Sequence, residues 1–517
     1  MRLKQVLSRI FTFVLAVGFL CAVSGVSQAT ESDRYGGILK KAYFAPGSLD
    51  PAFAADITGG EIPMFWGDFL VYIDEQSKPD QSRSLAKKWS VSSDGLAWTF
   101  QLRQGVVFHN GEKFTSKDVK STFDRLRDPK IGAATVELYS GISDITTPDA
   151  STVVFKLKKT NPDFLSGLGD YHSTVLWHGM KNFGKEFVGT GAFMVESYMA
   201  EDRMIFKRNP NYWRMDSQGN RLPYVDGIEY LFLAEASAQV EALRGGQVDY
   251  LMYLPADYVR TVEEDPNLAV YKTASNTHYV VHMRSDRKPF SDVRVRQAFR
   301  ATIDRESILI GSAEGLGVTG RDTPIGPAYG DFYLDVPEIK RDIKKAKKLL
   351  AEAGYSNGFE ITMTAQQTGP VPAMATIMKE QLAEIGVTVN IQMVPPDVYY
   401  GADNLWLEAD FSITDWGARA VPQNYLDLAY TCAAKWNESH FCDAELDKLA
   451  AMAATETDRA KRAGIYHKIQ KLFMDRGPIM VPFFSQNLWG ATKKLKGLVP
   501  TGYLGTNLDL NVVYFED

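Results

Sequence analysis

The sequence predicts a mixed α/β protein of about two to four domains, preceded by an export leader. Three observations carry this. Apolar residues recur with period two in some segments and at helical spacing in others, with no repeated βα unit. The 517 residues are 45% hydrophobic, 12% aromatic and 23% charged, ordinary globular composition that excludes a disordered, collagen-like or disulfide-dense chain. The first thirty residues depart from that composition.

Met1 to Arg9 carries Arg2, Lys4 and Arg9 with no acid, and Phe11 to Val23 is almost wholly apolar. Ser27-Gln28-Ala29 then offers small side chains at a cleavage site, so residues 1–29 read as a secretory signal peptide. The apolar run is too short to span a bilayer, which needs about 20 residues. Cys21 lies inside that run and follows Leu20, where a lipoprotein signal would place a small residue, so no lipid anchor is expected. Loss of the leader removes three bases and takes the formal charge from −6 to −9. That mild acidity favours solubility, and the lack of a Lys/Arg block argues against nucleic acid as a partner.

Along the remaining chain, Trp98 to Leu102 alternates apolar and polar residues between turn signals, as a half-buried strand does. Thr115-Ser116-Lys117-Asp118 is a capping box that opens a helix with Val119, Phe123 and Leu126 on one side. Val153, Phe155 and Leu157 form a second alternating face. After Ser291-Asp292, the residues Val295, Ala298, Phe299, Thr302 and Ile303 lie on one helical face. Lys340 to Leu350 is a basic helix with Ile343, Ala346, Leu349 and Leu350 as its apolar stripe, stopped by Gly354. Ile465, Ile469, Leu472 and Phe473 repeat the helical pattern.

Chemical motifs are sparse. Gly315-Leu316-Gly317-Val318-Thr319-Gly320 is a literal GxGxxG, but it lacks the preceding strand and following helix that would aim it at a pyrophosphate, so it reads as a loop. None of the seven histidines has metal-ligand spacing on a helix. His278 and His282 are four apart on a strand-like segment that would scatter their directions. No metal site, cofactor or catalytic residue is therefore expected. Cys432 and Cys442, ten positions apart in an exported chain, are expected to form a disulfide.

Read in order, the segments say more. Gly36-Gly37-Ile38-Leu39 and Leu49-Asp50-Pro51 are followed by Leu85-Ala86-Lys87-Lys88-Trp89-Ser90 and Trp98-Thr99-Phe100-Gln101-Leu102-Arg103. Val107-Phe108-His109-Asn110-Gly111 and Phe114-Thr115-Ser116-Lys117-Asp118-Val119 come next. Val188-Gly189-Thr190-Gly191-Ala192-Phe193, Lys207-Arg208-Asn209-Pro210-Asn211-Tyr212-Trp213 and Val293-Arg294-Val295-Arg296-Gln297-Ala298-Phe299 follow, and Ile303-Asp304-Arg305 and Leu349-Leu350-Ala351-Glu352-Ala353-Gly354-Tyr355 complete the series. From about Gly36 to the C-terminus the chain resembles the family 5 extracellular solute-binding proteins, the dipeptide, oligopeptide and nickel receptors of ABC importers. The resemblance implies a two-lobed periplasmic binding protein, type II or cluster C-like, with a subdomain inserted in the first lobe. By that mapping residues 30–282 form lobe 1, with the insertion at about 71–189. Residues 283–485 form lobe 2, and 486–517 return to lobe 1. It further implies a monomer without catalysis that hands a peptide or peptide-like solute to an inner-membrane ABC permease. The Cys432–Cys442 pair also resembles a short disulfide of dipeptide-binding relatives.

One departure bears on the ligand. Peptide-binding relatives carry a Trp-x-x-Asp segment whose aspartate meets the peptide α-ammonium. Here the segment is Trp416-Gly417-Ala418-Arg419, one residue shorter before the proline, with Arg419 at the aspartate position. A guanidinium suits a carboxylate or phosphate, so an opine-like conjugate, an acidic oligosaccharide or an anionic peptide derivative would fit. The alternative is that the shortened loop turns Arg419 outward or onto a nearby acid. Trp416 is a candidate stacking face. Arg321, Thr323, Asp56 and Thr58 are weaker loop candidates. An exported hydrolase on the same fold and a nickel or metal-chelate receptor stay open as other readings.

Overall fold

The computed structural model describes residues 34–516 apart from 55, 402–403 and 503–507. The leader and Cys21 lie outside the described residues.

Both sequence periods are realised. Trp98 lies in strand Ala97–Leu102, where Phe100 and Leu102 turn into a core. That strand pairs with Ala86–Val91 and Thr152–Leu157, and Ile142–Asp149 completes a four-stranded antiparallel sheet. Helix Ser116–Arg127 packs on it through Val119, Phe123 and Leu126, all buried with Phe155. Its first turn is closed as the capping box requires, the Thr115 N–H donating to Asp118 Oδ2 at 2.8 Å.

The large sheet has twelve strands and joins the two lobes. On one side lie Ile38–Tyr43, Gly227–Phe232, Arg203–Arg208 and Phe193–Met199; on the other lie Phe359–Gln366, Val387–Val394 and Phe411–Trp416. Two long strands pass between them. Leu268–Met283 pairs along its first half with Phe483–Thr492, then along its second half with Phe411–Trp416. The register between the long strands shifts between Ala274 and His278, so the ladder is interrupted there. The tail returns to the first side, where Leu495–Lys496 pairs with Tyr514–Phe515 and Asp509 receives a bidentate pair from Arg214.

Helix Val293–Thr302 buries Val295, Ala298 and Phe299 against the second-lobe strands, and its N-cap Asp292 accepts from the Arg294 N–H. The basic helix runs Ile343–Glu352 and ends before Gly354, whose φ of +91° is the left-handed conformation that glycine tolerates. In the first lobe a buried ion pair, Lys41 with Glu61, is completed by the Tyr230 hydroxyl donating to Glu61 at 3.0 Å.

Two expectations are corrected. The glycine-rich motif is not a plain loop: Gly317–Thr319 is a short strand on Phe483–Thr492. Its last glycine is required by packing, since a Cβ on Gly320 would lie 1.9 Å from the Val481 carbonyl oxygen. His278 and His282 do not diverge either. Four residues along one strand they share a face, but about 13 Å of strand separates them. Distance, not direction, keeps them apart.

Candidate functional site

Strand Phe411–Trp416 ends at Trp416, and the chain turns through 417–421 into the short helix Pro422–Tyr425. Tyr425 is fully buried and ties that turn to the crossing strand. Its hydroxyl lies 3.1 Å from the Asn276 carbonyl and 3.0 Å from the Gly417 carbonyl, and it accepts the Arg419 N–H at 3.2 Å. The Ala418 N–H donates to Thr277 Oγ1 at 3.3 Å, and the Tyr329 hydroxyl donates to the Arg419 carbonyl at 2.7 Å. The turn is therefore held by backbone contacts on both sides, and on one side the partner is the break in the crossing strand.

Residues 418–421 form one wall of a cavity of about 690 Å³ between the inserted subdomain and the second lobe. The opposite wall carries Tyr139, Asn161, Asp163, Asp170 and Tyr171. A volume of that size suits a small organic solute, since such sites run from about 300 to 1,000 Å³. Arg419, half-buried, extends its guanidinium 5.6 Å above the Trp416 ring. Its charge is felt by Tyr171 across the cavity and by His278, which is buried in the crossing strand. The Tyr171 phenol is pushed up to about 12 by burial and by Asp170 and Asp56, with Arg419 opposing. His278 is pushed down to about 4, first by burial, with His282 and Arg419 adding to it. Asp163 bridges the walls directly, accepting both terminal nitrogens of Arg462 from the second lobe.

The other residues singled out in the sequence do not gather here. Trp416 is 4% exposed and belongs to the core, its indole N–H donating inward to Glu438 at 3.1 Å, so only one ring face supports Arg419 from below. Arg321 spends its guanidinium on the Thr319, Gly320 and Val336 carbonyls of its own loop. Thr323 is buried and accepts the Ile325 N–H. Asp56 caps helix Ile57–Trp66 through the Gly59 N–H at 2.7 Å and also accepts the Gly47 N–H. Thr58 is buried and donates to the Phe44 carbonyl at 2.8 Å. In each case the polar atom is already used by the local fold. Cys432 and Cys442 are bonded, S–S 2.07 Å. Among the described residues no three His, Cys, Asp or Glu side chains converge as metal ligands.

Tyr425 and Tyr171 were not legible as site residues, because each acts through a partner distant in sequence. Asp415 did leave a signal. In Phe411–Trp416 the odd positions run Phe, Ile, Asp, so a carboxylate stands where the alternation calls for an apolar side chain.

Residues 82–437 match the model of the bacterial extracellular solute-binding proteins, family 5, middle region. The chain belongs to that family. A di/tripeptide-binding protein of Pseudomonas aeruginosa is 30% identical over 434 residues, covering 76% of this chain and 79% of the relative. A heme-binding protein A of Haemophilus influenzae is 26% identical over 470 residues, covering 83% and 84%. The solved ABC transporter-associated periplasmic binding protein of Helicobacter pylori, in complex with peptide STSA, superposes with a TM-score of 0.72 at 25% identity. That match covers 94% of this chain and 99% of the other. Like other family 5 solute-binding proteins, this one captures a solute for an ABC importer.

Proposed function

We propose that the protein is a periplasmic receptor that closes its two lobes over a peptide or peptide-like solute and holds an anionic group of that solute on Arg419. The carrying observation is the position of Arg419 on the wall of a cavity between the lobes, with Tyr171 and Asp170 among the residues that line it. A guanidinium there favours a carboxylate or phosphate, which it grips with parallel hydrogen bonds. The relatives support the peptide-like class, since one is a di/tripeptide-binding protein and a matched structure holds a peptide. The lobe limits read from the resemblance, 30–282 and 486–517 against 283–485, belong to this proposal, with bending assigned to Ala274–His278. So do export by a cleaved leader, delivery to an inner-membrane permease, and the absence of turnover.

Native mass spectrometry of the protein purified gently from the periplasm, then stripped by denaturation, tests the reading. One acidic small molecule released per chain is the expected result. Arg419→Asp then lowers affinity for that molecule at least a hundredfold. Release of a compound without an anionic group, or unchanged binding in the variant, overturns it.

A further inference from the structure

The short helix Phe164–Gly167 of the inserted subdomain begins after Asp163, yet the Asp163 carboxylate does not cap it. Elsewhere an aspartate in that place serves its own helix: Asp304 accepts from the Ser307 N–H, Asp342 from that of Lys345 and Asp458 from that of Lys461. Asp163 instead gives both carboxylate oxygens to the terminal nitrogens of Arg462, 299 positions on, with Oδ1 accepting from Nη1 at 2.5 Å. Its acid is spent across the gap rather than at home.

Arg462 is prepared for that contact by the second lobe. It lies in helix Arg459–Arg476, and its Nε donates at 2.8 Å to the carbonyl of Ala453, the last residue of helix Ala444–Ala453. Its guanidinium carbon stands 5.6 Å from the Phe332 ring centre and 5.3 Å from that of Tyr466. With the side chain 5% exposed and its fork fixed in this way, pairing with Asp163 costs little further rotamer freedom. A planar fork meeting two oxygens is also the geometry in which an ion pair exceeds the small worth of an ordinary surface pair. The pair joins two separate cores. Phe164, next to Asp163, packs in the core of the four-stranded sheet, whereas Ala463 and Tyr466, near Arg462, pack in a second-lobe core that shares no residue with it. Both ends of the contact border the cavity: Asp163 lines it, and so does Ala454, which follows the carbonyl that holds Arg462.

We propose that Asp163 and Arg462 form a latch that holds the inserted subdomain against the second lobe over the cavity. Neither anchors the solute. They are positioning residues, and parting them opens the cavity on that side. What the cavity holds rests on the solute-receptor reading, but the latch itself can be tested on the protein alone.

The test places nitroxide labels on the full exported protein at Lys158→Cys in the inserted subdomain and Thr457→Cys in the second lobe, both exposed positions, and measures the distance between them by pulsed electron paramagnetic resonance. Added to that labelled protein, Asp163→Ala and Arg462→Met should each move the distance distribution to longer values. The two together should move it no further, because one contact is lost in all three. Asp163→Ala takes no cap from its own helix, so it reads the latch even where Arg462→Met disturbs second-lobe packing. Distances in Asp163→Ala that superimpose on the wild type overturn the latch. Native mass spectra of the same set separate it from the receptor reading. The fraction of chains that retain a co-purified small molecule should fall on the order of tenfold in Asp163→Ala, as loss of a charge-assisted contact implies. Longer distances with undiminished retention overturn the latch as a hold on the cavity. Longer distances with a wild type that retains no small molecule count against the receptor reading and leave the latch standing.

Discussion

The first-lobe pair Lys41 and Glu61 and the second-lobe residues Asp415 and Arg419 use the same charged groups to opposite ends. Lys41 and Glu61 are both fully buried and bonded to each other. Tyr230 and Tyr250 donate to the acid, and the Lys41 ammonium lies 4.3 Å from the Tyr230 ring centre. With the acid and the ammonium spent on each other and on the surrounding tyrosines, the pair holds the first lobe together. Asp415 is exposed, and Arg419 is half-buried on the wall of the cavity, its backbone pinned by the Tyr425 hydroxyl. A charge closed on itself specifies a fold, whereas a charge held at the wall of a cavity is in reach of a ligand.

The sharpest way to break that contrast is to open the closed pair. Lys41→Met strands a carboxylate in the core, and a loss of about 3–5 kcal/mol is expected in urea unfolding. Lys41→Met combined with Glu61→Gln should recover most of it, because the uncompensated charge is gone. A smaller effect is expected at His278, buried between Phe484 and Tyr425 with its pKa lowered to about 4. The folded protein resists protonating this ring while the unfolded chain accepts a proton near 6.5. The stabilisation is therefore complete above about pH 6.5 and is lost as pH falls from there toward 4, on the order of 3 kcal/mol in all. In His278→Phe the unfolding free energy should vary less across that window. Smallest of all should be the stability effect of opening the cleft charges. Asp415→Asn and Arg419→Gln are each expected to change unfolding free energy by less than about 0.5 kcal/mol, and Arg419→Gln is expected to weaken solute binding. A large loss of stability in Asp415→Asn would place it with Lys41 and Glu61 and dissolve the distinction.

Much of the architecture could be read from sequence because it is local. The stripe Val295, Ala298, Phe299 packs as its spacing requires, and the box Thr115–Asp118 closes its own helix end. The cleft is built from contacts that no window contains. Tyr425 meets Asn276 across 149 positions, and Arg462 meets Asp163 across 299. Trp416 looked like a ligand platform because its strand phase was unknown. Pairing opposite His278 turns it, with Ser412 and Thr414, toward Glu438. Arg321 and Thr323 failed for a related reason, since a polar residue in a loop is as readily spent on that loop's own backbone.

The contact of Asp163 with Arg462 has a consequence for how the receptor responds to its medium. It is one of several opposite charges facing each other across the lips: Lys159 acts on Asp427, and Lys78 on Asp331. Direct contact and burial shield Asp163 and Arg462 from salt, whereas the longer-range attractions fade with ionic strength, over a screening length of about 10 Å at 0.1 M and about 3 Å at 1 M. A saline medium is therefore expected to weaken the outer attractions first and to leave the Asp163–Arg462 contact as the last tie between the two walls.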